Sequence, residues 1–471
     1  MQSEDLQYTS SAEFEWAEGF GASVQEFRGE GQVGLPDGPM ATCAFACAQL
    51  ADGRIVIECH LLGGAVLELL AILINEPVRT DWRLEGHTLD GLDILIEEAS
   101  SPKLELSMGQ NKPTRVLLQC NEVNLIRPAA ARVTPAQLSY GLANLEFLGD
   151  EVTEFEIEGR RGWSRDTFRF HAGSRQIIVR QVRDYRQVVA QMKDRRSLAT
   201  TAEASLQFTS SRGELGPYHD MMDAVCTLLS LAKGSKVRWL YSKVIDQDGE
   251  LASMRILSKP SRFWVPGVAL IGGVTAKQLK EFVGNSYGPY LEEQERFNLP
   301  VAIGYYLASK SEMEWNTTFL LACIALETLV GNFAQHALQG DLRYIVPRED
   351  FGERSALASL KNSLKEALRQ AYPGLSDDQV DDALVKVPEL NYRSFRRLVK
   401  RMLNELGIEH DDLQFIELRG TVVHTGTLGR SFSETFGHYS NLICLLDKIF
   451  LRILRYEGEY LDFSEQLSLI E

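Results

Sequence analysis

Near residue 299 the chain changes its period. Before that point, apolar residues alternate with polar ones in short runs broken by Gly and Asp. After it they recur every three to four residues to the end. Side chains alternate on a strand and return every 3.6 residues on a helix, so this switch divides the chain between two kinds of structure. Trp315, Phe319, Ala322, Leu326, Leu329 and Phe333 mark one face of a long helix. Further helices are predicted over 353–371, 391–406, 413–423 and 434–456. Ser376 with Gln379 forms a capping box, Gly407 is a helix stop, and Asp411 or Asp412 and Ser433 are N-caps.

The N-terminal part reads as strands. Residues 40–50 and 54–62 flank Ala51-Asp52-Gly53, a hairpin signal. Strands are predicted over 154–158 and 167–170 around a loop at 159–165, then over 176–182, 236–245 and 253–257. Helices are predicted over 215–232 and 276–283; 67–74 fits either state. The fold class expected is α+β: a β-rich N-terminal domain (1–200), an α+β subdomain continuing it (201–298) and an all-α helical bundle (299–471).

At 471 residues the chain is long for a single domain. Its net charge of −16 argues against a surface wholly coated in nucleic acid, so any nucleic-acid contact must use a local basic track. Seven scattered cysteines suit reduced thiols, and the N-terminus lacks a signal-peptide pattern. The run 61–75 is short and interrupted by Glu68, so no membrane association is expected. These features together predict a cytoplasmic protein.

Two tracks qualify as local basic surfaces. On the 391–406 segment, Arg393, Arg396, Arg397 and Lys400 fall at i, i+3, i+4 and i+7, with Arg401 beside them and Phe395, Leu398, Val399 and Met402 opposite. This face is either a phosphate track or an ordinary solvated face. The second, 160–196, holds eleven Lys or Arg against Asp166, Asp184 and Asp194, with Trp163, Phe168, Phe170 and Tyr185 interleaved. That pattern suits single-stranded or looped RNA, or else strand aromatics that fill a core.

Arg419 and His424 form an Arg-x4-His pair within helix-periodic sequence. Similar spacings occur at Arg54/His60, Arg165/His171 and Arg212/His219, so spacing alone carries little. Context separates the C-terminal pair. Cys323-Ile324-Ala325-Leu326-Glu327 resembles the early-helix "ALE" stretch of HEPN domains, and Arg419 to His424 resembles the Arg-x4–6-His motif of a late helix in those domains. A β-rich region preceding such a bundle is similar in layout to the ApeA family of antiphage proteins. Gly420 departs from the family's pattern, which often has a polar residue after the arginine.

The resemblance implies a metal-independent endoribonuclease without cofactor. His424 would be acid or base toward the ribose 2′-OH and the leaving oxygen, and Arg419 would hold charge on the phosphate. Glu327, a carboxylate in an apolar run, would orient Arg419 or His424, or else sit at the edge of the stripe. The resemblance also implies a homodimer or higher oligomer through the bundle, structured RNA such as tRNA as substrate, and toxicity released by a phage-derived trigger. Two other readings stand. One is a non-catalytic module that binds RNA or protein, favoured by Gly420. The other is a metal-dependent hydrolase using Cys43, Cys47, Cys59 and His60, against which these cysteines read as apolar core residues. Gly29-x-Gly31-x-x-Gly34 matches a dinucleotide-binding pattern, but Pro36 and Pro39 follow where a helix should open. Gly284-Asn285-Ser286-Tyr287-Gly288 matches a nucleophile elbow but follows helix, not strand.

Overall fold

The computed structural model describes residues 23–50, 53–75, 81–105, 114–128, 135–157, 160–195, 198–208, 214–259, 268–272, 275–311, 314–337, 340–352, 354–409, 413–425 and 432–463. The N-terminal elements are β1 (Ser23–Gly34), β2 (Met40–Leu50), β3 (Ile55–Gly64), α1 (Val66–Asn75), β4 (Trp82–Thr88), β5 (Asp93–Glu105), β6 (Thr114–Cys120), β7 (Glu122–Ile126), β8 (Pro135–Ala143), β9 (Glu151–Ile157), β10 (Arg160–Ala172), β11 (Arg175–Gln181), α2 (Tyr185–Arg195), β12 (Thr200–Gln207), α3 (Gly216–Lys233), β13 (Arg238–Asp246) and β14 (Leu251–Leu257). The helical part comprises α4 (Lys277–Phe297), α5 (Leu299–Ser309), α6 (Trp315–Gln335), α7 (Arg348–Phe351), α8 (Arg354–Ala371), α9 (Asp377–Val385), a 3-10 turn (Val387–Asn391), α10 (Phe395–Glu405), α11 (Phe415–Thr425) and α12 (Phe432–Ile453). The layout is α+β, with a β-rich N-terminal half and a helical C-terminal half.

Two compact units result. One comprises Met1–Ser230, Ser235–Val265 and Gly273–Gly284; the other comprises Leu231–Gly234, Pro266–Gly272 and Asn285–Glu471.

In the first unit, β1 pairs with β2, β2 with β3, β3 with β6, β6 with β5, β5 with β4, and β4 with β1, all antiparallel. That circuit closes a six-stranded barrel. Its core includes Val33, Phe45, Ile57, Trp82, Leu84 and Leu118. Glycine permits the closure, since a Cβ at Gly29 or Gly31 would meet the carbonyl oxygen of His87 or Glu85 at 2.1 and 2.3 Å. The G-x-G-x-x-G pattern therefore lies in a strand that crosses close to its neighbour. Strand β5 is irregular at Glu98, whose φ of 55° lies at a break in its pairing with β4; beyond it, residues 100–105 pair with β6. Residues 93–95 of β5 also pair with β7, and from there the sheet runs on through β14, β13, β8, β12, β11 and β10 to β9.

Several expectations shift. The ambiguous 67–74 segment is helical, within α1. The supposed loop at 160–165 is strand, because β10 extends back to Arg160 against β9. The elbow-like Gly284–Gly288 run lies inside α4, which continues through Pro289.

In the second unit α6 is the central helix and packs against α5, α10, α11 and α12. Phe319, Ala322, Leu326, Leu329 and Phe333 are buried as their spacing requires, while Trp315 reaches the surface. Among the described residues α6 is the one helix long and apolar enough to cross a membrane, and more than half of that stretch is buried within the bundle. The capping box at Ser376 forms with both of its hydrogen bonds, and Gly407 takes φ 65° just after α10. Asp411 and Asp412 lie outside the described residues. Helix α12 begins at Phe432, one residue before the expected cap Ser433.

Candidate active site

Helix α6 carries Cys323 and Glu327 one turn apart, and α11 brings Arg419 against them. Arg419 pairs through Nε with Oε1 of Glu327. Its guanidinium carbon lies 5.5 Å from the ring centre of Phe395, the first residue of α10. Burial pushes the Cys323 thiol up to about 12, opposed by the charge of Arg419. Arg419 is thus seated by a carboxylate on one helix and an aromatic face on another. The pair is not sealed, since the two side chains are 36% and 30% exposed. Of the two carboxylates within reach in sequence, Glu327 takes Arg419, while Glu417 receives Arg396 Nη1 at 2.9 Å.

Helix α11 runs unbroken through Gly420 to Thr425. Residues five apart on a straight helix sit about 140° apart, and no break at Gly420 changes that for the Arg419 and His424 positions. A Cβ at this glycine would meet nothing within 4 Å. The backbone of His424 lies in the last turn of α11; its side chain lies outside the described residues.

The basic segment at 391–406 needs a correction. Helix α10 starts at Phe395, so Arg393 does not share its face. Tyr392 forms an isolated antiparallel bridge with Tyr344, and the Arg393 N–H donates to the Arg343 carbonyl at 2.8 Å, which holds 392–393 extended. Arg393 Nε donates to the Tyr344 carbonyl at 3.1 Å, tying down this corner. Arg396, Arg397 and Lys400 do lie on the exposed side of α10, with half-buried Arg401 at its edge and Leu398, Val399 and Met402 buried opposite.

The other basic stretch is less bare than its sequence. Phe168 and Phe170 are core residues and Tyr185 O–H receives the Phe147 N–H at 2.9 Å, which leaves Trp163 exposed at 71%. Strand β9 sets Glu154 opposite Trp163, and Glu151 accepts Arg169 Nε at 2.9 Å. Cations on one strand are balanced by acids on the next.

The set proposed for a metal, Cys43, Cys47, Cys59 and His60, does not converge. The three cysteines are buried in the barrel core. His60 follows Cys59 on β3 and so faces the other way, where its Nε2 lies 2.7 Å from Glu58. Burial pushes the Cys47 thiol well up, and a hydrogen bond with Cys43 and burial do the same to Cys59. Among the described residues no group of three or more His, Cys, Asp or Glu is placed to hold a metal ion.

One buried polar group escaped the sequence patterns. Lys310 Nζ lies 3.7 Å from Asp447 Oδ1, with side chains 1% and 2% exposed. Tyr306 O–H donates to the same carboxylate and receives Lys310. A carboxylate within an apolar run marks Glu327, and it equally marks Asp447 between Leu446 and Ile449. The difference is exposure: the Lys310 cluster is closed to solvent, whereas the Arg419 pair opens onto it.

Comparison with protein-family models, curated proteins and solved structures finds no match to this chain.

Proposed function

We propose that the helical unit is a HEPN-type, metal-independent endoribonuclease, with Arg419 and His424 as its catalytic pair and Glu327 as the residue that positions Arg419. The observation that carries this reading is the Arg419–Glu327 pair. The two stretches on which the resemblance rests lie far apart in sequence, yet they meet at one half-exposed place. An anchored guanidinium is suited to a pentavalent phosphate, and the proton transfers are assigned to His424. The exposed cations of α10 adjoin it through Arg396–Glu417 and suit an RNA backbone.

By the same resemblance, the protein acts as a cytoplasmic homodimer on structured RNA, with tRNA the leading candidate, in abortive antiphage defence. The β-rich unit then senses a trigger or positions substrate. The test is RNA treated with purified protein in EDTA. The expected products carry 2′,3′-cyclic phosphate or its opened form. Loss of activity with chelator, or cleavage of DNA, overturns the reading.

A second reading, a non-catalytic module that binds RNA or protein, is favoured by Gly420. It predicts that His424→Ala leaves the cellular phenotype unchanged.

A further inference from the structure

At one end of the open sheet, beside the β10–β11 turn, lies a cavity of about 800 Å³. Its floor follows from strand register. Gln137 on β8 sits opposite Gln207 on β12 and Ile245 on β13. Ile178 on β11 faces Ser205, so Gln176, two residues earlier, falls beside Gln207. Gln176 in turn faces His171 on β10. Directly paired residues share a sheet face, so three glutamines and a histidine form one row across neighbouring strands. Gln137, Gln176, Gln207 and His171 are all exposed.

Arg175 stands at the rim with its guanidinium carbon 3.8 Å from the centre of the Tyr218 ring. The one acid among the lining residues is Asp246, and its carboxylate is engaged elsewhere. Oδ1 accepts the N–H groups of Asp248 and Glu250 at 2.9 and 2.8 Å, and Oδ2 faces Arg127 at 3.5 Å. The cavity therefore presents amides, an imidazole and a guanidinium.

The size falls within the roughly 300–1,000 Å³ range of small-ligand sites. Each amide pairs a donor with an acceptor, the complement of a nucleobase edge. Arginine and histidine at the margin suit a phosphate. We propose that this cavity binds a nucleoside phosphate, with the base against the glutamine row and the phosphate at Arg175 and His171. The nucleotide is either free or one unit of single-stranded RNA. This site stands independently of the ribonuclease reading.

The test is calorimetric titration of the full chain carrying Arg419→Ala, so that RNA is not consumed. The probes are AMP, GMP, CMP and UMP, a single-stranded RNA hexamer, and inorganic phosphate. Saturable binding is expected, weakened about tenfold or more by the double change Gln137→Ala/Gln207→Ala. These side chains are exposed, so thermal melting of that variant should match its parent. A mononucleotide that binds as tightly as the hexamer identifies a free nucleotide; a much tighter hexamer identifies a strand. No saturable binding, an unchanged dissociation constant in the double variant, or inorganic phosphate binding as tightly as nucleotides overturns the proposal. The readout is binding, so failure here leaves the cleavage chemistry of Arg419 and His424 untouched.

Discussion

Arg419 on α11 is paired with Glu327 on α6, and that one ion pair joins the helix bearing the Arg-x4-His motif to the central helix of the bundle. The pair is partly exposed and screened, so it contributes at most about 1 kcal/mol to stability. Its expected value lies in orientation. Arg419→Ala should abolish RNA cleavage with little change in melting temperature, and Arg419→Lys should not rescue it, because an ammonium lacks the planar fork. His424→Ala should lower the rate by roughly 10²–10⁴-fold. Cleavage near the parent rate in either alanine variant would sink the assignment.

The basic face of α10 gives a second expectation. Arg397→Glu with Lys400→Glu should weaken binding to all RNA sequences alike, because phosphate contacts carry no base information. The slope of log affinity against log salt should shrink by roughly one for each phosphate that is no longer neutralised. Lys361→Glu with Lys365→Glu, on α8, is the charge-matched control. Equal weakening by both pairs would show that α10 is simply a solvated face. Arg393 is unsuited to this test, since its side chain holds the Tyr344 carbonyl.

Lys310 and Asp447 differ from the surface pair in kind. Burial pushes the Asp447 carboxyl up and the Lys310 ammonium down, and each partner opposes the other's shift. Removing one leaves a buried charge without its counterpart, so Lys310→Ala or Asp447→Ala should cost about 3–5 kcal/mol. Lys310→Met with Asp447→Leu should recover most of that in urea unfolding. A double variant as unstable as the worse single one would contradict this account.

His219 supplies a pH dependence in the β-rich unit. It stacks on Trp239 with ring centres 5.0 Å apart, its Nδ1 lies 3.1 Å from Tyr140 Oη, and burial, then Arg255, hold its pKa below the usual histidine range. The facing acids, Asp223, Glu122 and Asp220, pull the other way. A lowered folded pKa favours the neutral ring. The stability it contributes is therefore present above the ordinary value of about 6.5 and is lost as pH falls through the folded value. The melting temperature of the parent should drop between about pH 7 and pH 5, and His219→Gln should flatten that slope. An unchanged slope in the variant would place the acid sensitivity elsewhere.

Gly420 is legible only in the folded chain. It lies inside α11, which continues past it to Thr425, and a side chain there meets open space. Gly420→Ala should stabilise the helix by up to about 1 kcal/mol. If cleavage is retained as well, flexibility at this position is not part of the chemistry.

Periodicity carried much of the fold. The α6 stripe, the capping box at Ser376, the stop at Gly407 and the division into β-rich and helical halves depend on neighbours within a few residues, and those can be read from the chain. Glu327 also stood out, because a carboxylate in an apolar run requires a partner. Long-range pairing decided the rest. The barrel circuit, the glycines of β1 as contact points with β4, the opposite facing of His60 and the three cysteines, and the glutamates of β9 beside the arginines of β10 all follow from which strands lie together. The Tyr344–Tyr392 bridge likewise removed Arg393 from a helix face that its local spacing allowed. Local sequence sets which face a residue takes; only the assembled sheet and bundle set what that face meets.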